Sequence, residues 1–234
     1  MSSLKDYLFN HRAWLWPIIA LALITPFTPA IDLALSRYYF TSSSEPGFHS
    51  TSFDLFMYEY GVVPGFIMLA VSAVMLFMAC FFKKWRKWYA SSLILVLTLS
   101  IGSGLISHAI FKDHWGRPRP KQVIEFGGKQ EFRPYYYPNI FHQPEPSKSF
   151  PCGHCTMGFY FFALALIGYR NGNKKLFLGA LAFAIILGIA LSKARIAQGG
   201  HFFSHTLASA LIMWLTAYTC YYWIGGKESN ARLN

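Results

Sequence analysis

Six apolar runs dominate this chain, at roughly residues 14–35, 61–82, 89–111, 154–169, 176–193 and 202–224. Each is long enough, or nearly so, to cross the roughly 30 Å hydrocarbon layer of a bilayer as a helix. Hydrocarbon offers the backbone no partner, so a single run in it must satisfy its own hydrogen bonds, which a helix does. None of the runs alternates as a strand would. Composition agrees: the chain is 54% hydrophobic and 13% charged, where a soluble domain carries about 25% charged residues. The expected fold is all-α, a six-transmembrane-helix bundle forming a single domain over residues 1–234. Pro26, Pro29 and Asp32 predict that the first span kinks or leaves the membrane early. That run reads as a span rather than a cleaved signal, because the apolar core before Ala20–Ala22 is short and holds Pro17.

A formal net charge of +11 in a soluble protein would point to nucleic acid. Here the basic residues sit between apolar runs, so they carry topology instead, and no nucleic-acid partner is expected. Lys83, Lys84, Arg86 and Lys87 form one cluster; Arg170, Lys174 and Lys175 form another. Both fall on the same side as Lys5, Arg12, Lys227 and Arg232 if the two termini are cytoplasmic. The long loop between spans three and four, residues 112–153, then faces the opposite side, which in a bacterium is the periplasm. Loops of about forty residues in compact proteins are functional or disordered. Its aromatics and prolines, with PYYYP at 134–138, predict an ordered loop skimming the membrane.

Three constellations carry chemistry. KDHWGRPRP opens right after the third run and places Lys112, Arg117 and Arg119 together. Arginine offers a rigid fork to phosphate oxygens and lysine a point charge. FPCGHCTM stands at the start of the fourth run, where a helix N-terminus presents free N–H groups, Gly153 admits close approach of an anion, and His154 can donate a proton. ARIAQGGHFFSH, between the fifth and sixth runs, holds Arg195 and a pair of histidines, His201 and His205, four apart on one helix face. Ionisable groups at the end of a span are costly and are kept for function. All three stretches fall at the same end of helices three to six, so one pocket can collect Lys112, Arg119, His154, Arg195 and His201.

These residues resemble the PAP2 superfamily, the type-2 phosphatidic acid phosphatases with six transmembrane helices. The family pattern is K-x6-R-P, P-S-G-H and S-R-x5-H-x3-D. Lys112 followed by six residues and Arg119-Pro120 fits the first part. Pro151-Cys152-Gly153-His154 fits the second with cysteine for serine, and Arg195-x5-His201 fits the core of the third. Ala194 and His205 stand where the family has serine and aspartate. The resemblance implies an enzyme in which His201 attacks phosphorus to form a phosphohistidine. His154 then protonates the leaving oxygen and afterwards activates water. Lys112, Arg119, Arg195, Cys152 and Gly153 bind the phosphoryl group, and no metal or cofactor is required. It implies a membrane lipid phosphate as substrate and a multi-pass protein of the bacterial inner membrane with its site facing the periplasm. The loop words WGRPRP, EFGG and SFPCGH are most similar to bacterial members that include lipid A phosphatases, which favours lipid A phosphate. Undecaprenyl diphosphate, phosphatidylglycerol phosphate and transfer to a second lipid acceptor stay open.

Two departures matter. The family aspartate orients the nucleophilic histidine and stabilises its positive form; His205 can accept a hydrogen bond but brings no negative charge. Asp113 and Glu125 are candidate compensating carboxylates, and a chain that has lost catalysis would be a lipid-phosphate binder. Cys152 keeps the backbone N–H and offers a weaker side-chain donor. Cys152 and Cys155 also read as C-x-x-C, but without a thioredoxin-like strand–helix pattern; a disulfide between them is compatible with an oxidising periplasm. His201 and His205 have metal-ligand spacing that Cys152 or His154 could complete, a zinc reading that leaves Lys112 and Arg119 unexplained.

Overall fold

The computed structural model describes residues 4–42, 46–141 and 147–225. It is mostly helical. Among the described residues five helices are long and apolar enough to cross a membrane: Arg12–Tyr38, Ser52–Phe81, Lys83–Lys112, Lys174–Ala197 and Phe203–Ile224. Lys227 and Arg232, part of the topological argument, lie outside the described residues.

The first span is α1 (Leu4–Ile24), a 3-10 turn, and α2 (Thr28–Tyr38). Pro26 and Pro29 each sit in a first turn, where a missing N–H costs nothing, so the chain bends and resumes. The helix continues past Asp32, which is fully buried. A two-stranded hairpin, β1 (Phe40–Thr41) and β2 (Gly47–Phe48), leads to the second span. That span starts earlier than its hydropathy predicts. A reciprocal cap between Thr51 and Asp54 begins α3 (Ser52–Tyr60), and Pro64 restarts the chain as α4 (Val63–Phe81). The third span begins as α5 (Tyr89–Leu97) and continues as a π-helix over Thr98–Lys112.

The fourth apolar run folds as two short helices, α6 (Gly153–Phe159) and α7 (Phe162–Arg170), rather than as one long one. They pack against α5, the π-helix, α8 (Lys174–Ala197) and α9 (Phe203–Cys220). A Cβ on Gly158 would stand 2.7 Å from the Gly188 Cα, so α6 and α8 touch backbone to backbone. Small residues allow that approach in hydrocarbon, where dispersion contacts rather than water drive helix association. Residues 155–163 are all buried, and they form the centre of the bundle with Leu187, Leu191 and Met213.

The described part of the long loop is tied down. Trp115 Nε1 donates to the Tyr135 carbonyl at 2.7 Å, and the Tyr135 hydroxyl lies 2.6 Å from Thr25 Oγ1 on the first span. Phe150 packs against the rings of Phe111, Trp115 and Tyr135.

Candidate active site

A cavity of about 670 Å³ opens at one end of the bundle. Lys112, Arg119, Gly153, His154, Arg195 and His201 line it. They arrive from the end of the π-helix, the loop, the start of α6, the last turn of α8 and the α8–α9 turn. Val62, Phe66, Leu69, Leu99 and Met157 continue the lining as apolar surface.

A buried polar knot beside the cavity fixes the loop to the bundle. Asp32 on α2 receives Arg117 Nη2 at 2.8 Å, the Ser204 backbone N–H at 2.7 Å and the Ser204 hydroxyl at 2.6 Å. Arg117 also donates from Nη1 to Ser204 Oγ at 2.6 Å and from Nε to the Arg133 carbonyl at 2.8 Å. Its guanidinium lies 4.8 Å from the centre of the Phe202 ring. Arg117 is therefore committed to structure, and of the two arginines in KDHWGRPRP only Arg119 lines the cavity.

The turn between α8 and α9 delivers the histidines. Gly199 has φ 60°, a left-handed conformation that favours glycine, and the Phe48 ring occupies the space a Cβ would need. The N–H groups of Gly200 and His201 both donate to the Arg195 carbonyl, at 3.0 and 3.2 Å. Arg195 is buried; its Nη1 donates to Gln198 Oε1 at 2.6 Å, and its guanidinium sits 4.7 Å from the Tyr58 ring centre. The same Tyr58 ring stacks on His154, with centroids 5.0 Å apart and planes 17° from parallel. His201 is buried, and its imidazole is held well below the ordinary histidine range, first by desolvation and then by Arg195, Arg119 and Lys112. It is neutral at neutral pH.

His205 lies behind His201, outside the cavity lining. The two Nδ1 atoms are 3.2 Å apart, and Ser149 Oγ is 3.3 Å from His205 Nδ1. Asp113 pairs instead with Lys148 at 3.3 Å on the surface, and Glu125 is exposed. Among the described residues, His205 Nε2 and Arg195 Nε are buried atoms with no hydrogen-bond partner.

The structure does not bring Cys152 into the cavity lining. Its sulfur is bonded to Cys155 and also receives the Cys155 N–H, while its own N–H donates to Ser209 Oγ at 3.0 Å. Ser209 in turn donates to the carbonyls of Cys152 and His205, at 3.0 and 2.8 Å. This stapled turn fixes the start of α6 onto α9. With Cys152 so engaged, no group of three or more His, Cys, Asp or Glu among the described residues is arranged to hold a metal.

Among the lining residues outside the sequence motifs are an aromatic and an ionisable side chain, Tyr58 and His108. A signal existed for His108, an ionisable side chain within an apolar run. Tyr58 gave none, since it precedes the expected second span.

The chain matches the PAP2 superfamily over residues 92–229, more than half its length, and it belongs to that superfamily. It is 31% identical over 197 residues to a lipid A 4'-phosphatase of Francisella tularensis subsp. novicida (strain U112), covering 82% of this chain and 86% of that protein. It is 24% identical over 221 residues to a lipid A 4'-phosphatase of Rhizobium leguminosarum, covering 87% and 89%. No solved structure matches. The chain is a phosphatase of this superfamily and a multi-pass membrane protein.

Proposed function

We propose that this protein removes a phosphate from a lipid head group at the periplasmic face of a bacterial inner membrane, through a metal-independent phosphohistidine, with lipid A phosphate the favoured substrate. The observation that carries the reading is the convergence of three cations and the motif histidines His154 and His201 on one cavity that is otherwise lined largely by apolar residues. Lys112, Arg119 and Arg195 hold the phosphoryl oxygens, and an oxygen there would supply the acceptor that Arg195 Nε lacks. Fixed cations aimed at the charge that develops in phosphoryl transfer are the largest source of rate in such sites. The Gly153 backbone leaves room for the anion. His201 Nε2 attacks phosphorus, the bond to the lipid oxygen breaks, and His154 gives that oxygen its proton. Water then cleaves the phosphorus–nitrogen bond. Attack requires the proton of His201 to sit on Nδ1, from where it donates to His205 Nδ1. Cys152 acts through the position of Gly153 and His154.

The same reading makes α6 and α7 the sixth crossing. The pair is short because other helices, rather than lipid, enclose it. The lipid A preference rests on the two relatives and on the aromatic loop, whose rings suit sugar faces.

The test is phosphate release from bisphosphorylated lipid A, undecaprenyl diphosphate, phosphatidylglycerol phosphate and phosphatidic acid by purified wild type and His201→Ala, each with and without EDTA. Fastest release from lipid A, insensitive to EDTA and absent in His201→Ala, is the expected result. Loss with EDTA overturns the metal-independent route, and faster release from another lipid overturns the substrate. No release from any of them would make the protein a binder.

A further inference from the structure

His108 stands on the π-helix and lines the cavity. Its Nδ1 is 2.7 Å from the carbonyl oxygen of Ser103, five residues back. A carbonyl only accepts, so Nδ1 carries the proton and the Nε2 of the neutral ring is a lone pair. That nitrogen is 2.7 Å from where a Cβ on Gly153 would stand, which puts it beside the first residue of α6 and next to His154. Winding with i→i+5 bonds sets positions four and five apart on one face. Leu99, Ser103, Gly104, His108 and Lys112 accordingly all line the cavity. The π-turns thus aim His108 and the phosphate-binding Lys112 at the same space.

A lone pair in a pocket built for phosphate oxygens has no use for the phosphate itself. It needs an O–H or N–H donor. The hydrolytic step brings one, the attacking water. We propose that His108 is a catalytic residue, the base that takes the proton of the water hydrolysing the phosphohistidine on His201. The water oxygen bonds to phosphorus while the phosphorus–nitrogen bond breaks and its electron pair returns to His201 Nε2. The water proton goes to His108 Nε2, and the resulting imidazolium returns it to solvent as orthophosphate leaves. His154 serves the first step from its stack on Tyr58, and His108 serves the second. This rests on the phosphohistidine reading above.

The test is rapid-quench kinetics of His108→Gln and His108→Asn on bisphosphorylated lipid A carrying ³²P. It follows the dephosphorylated lipid, free phosphate and the acid-labile, alkali-stable phosphoenzyme. A positioned base contributes about 10²–10⁴-fold. The variants should therefore release the first lipid product at the wild-type rate, in a burst near one per enzyme. They should then accumulate phosphoenzyme and turn over on the order of 10²-fold more slowly, with added imidazole restoring turnover. The burst doubles as the check on folding. Equal slowing of both steps, or no slowing, overturns the role of His108 while leaving the phosphohistidine intact. No phosphoenzyme in any protein, with activity retained in His201→Ala, overturns both.

Discussion

His205 stands where the family places an aspartate, and its hydrogen bonds set the cost of that exchange. Two proton arrangements are open to the His201–His205 pair. With the bridging proton on His205 Nδ1, it can reach both His201 Nδ1 and Ser149 Oγ, and the orphan Nε2 is only an unmet acceptor. His201 then carries its proton on Nε2 and cannot attack. With the bridging proton on His201, attack is possible, but His205 must hold an N–H on its buried, partnerless Nε2. A buried unmet donor costs about 1–3 kcal/mol. His205→Asp removes that cost and adds the missing negative charge. Its turnover should rise by about tenfold or more in phosphate-release assays; a folded variant with unchanged or lower turnover would show that His205 is not limiting. The three motifs name six residues that line the cavity, Lys112, Arg119, Gly153, His154, Arg195 and His201. The K-x6-R-P spacing also selects Arg119 over Arg117, and Arg119 is the one that lines the cavity. Arg117 is drawn away from the cavity by its pair with the buried Asp32, which the sequence places 85 residues upstream.

At the scale of elements, hydropathy located the spans but not their interruptions. Runs 14–35, 89–111, 176–193 and 202–224 correspond to long helices whose ends lie within a few residues, apart from the six-residue extension of the third to Lys83. The second was placed too late because α3 carries Asp54 and Glu59, which depress its average, although the Thr51 cap starts a helix there. The π-winding of the third span has no hydropathy signature at all; it appears only in the folded backbone, where the Ser107 and His108 side chains also reach carbonyls five residues back. The break between α6 and α7 escaped notice because every residue around it is apolar. Helix α6 holds Gly153 and His154 in place through its contact with α8, and that contact depends on absent side chains. Gly158→Val puts methyl groups where Gly188 backbone already stands. Overpacking of this kind costs about 1–3 kcal/mol. The variant should unfold at lower temperature in detergent and lose activity in parallel; full stability would mean that α6 and α8 can separate without loss.

For the whole molecule, the reading requires the loop that carries Lys121 and Lys129 to face outward and the basic turn between α4 and α5 to face the cytoplasm. In spheroplasts, Lys129→Cys should react with a membrane-impermeant maleimide and Lys87→Cys should not; the reverse pattern would turn the protein over and place its site inside. The basic clusters are what predict this orientation. The tie between the first span and the rest was not legible, since Asp32 reads in the sequence only as a flaw in an apolar run. That tie also imposes an order on how the protein is made. Asp32 emerges from the ribosome with the first helix, while Arg117 follows 85 residues later and Ser204 follows 172 residues later. A newly inserted chain therefore carries an unmatched carboxylate until Arg117 follows, about halfway through its synthesis. The loop brings the counter-charge and the last long helix brings the remaining donors, so a chain stopped short of α9 keeps its oldest acid only partly satisfied.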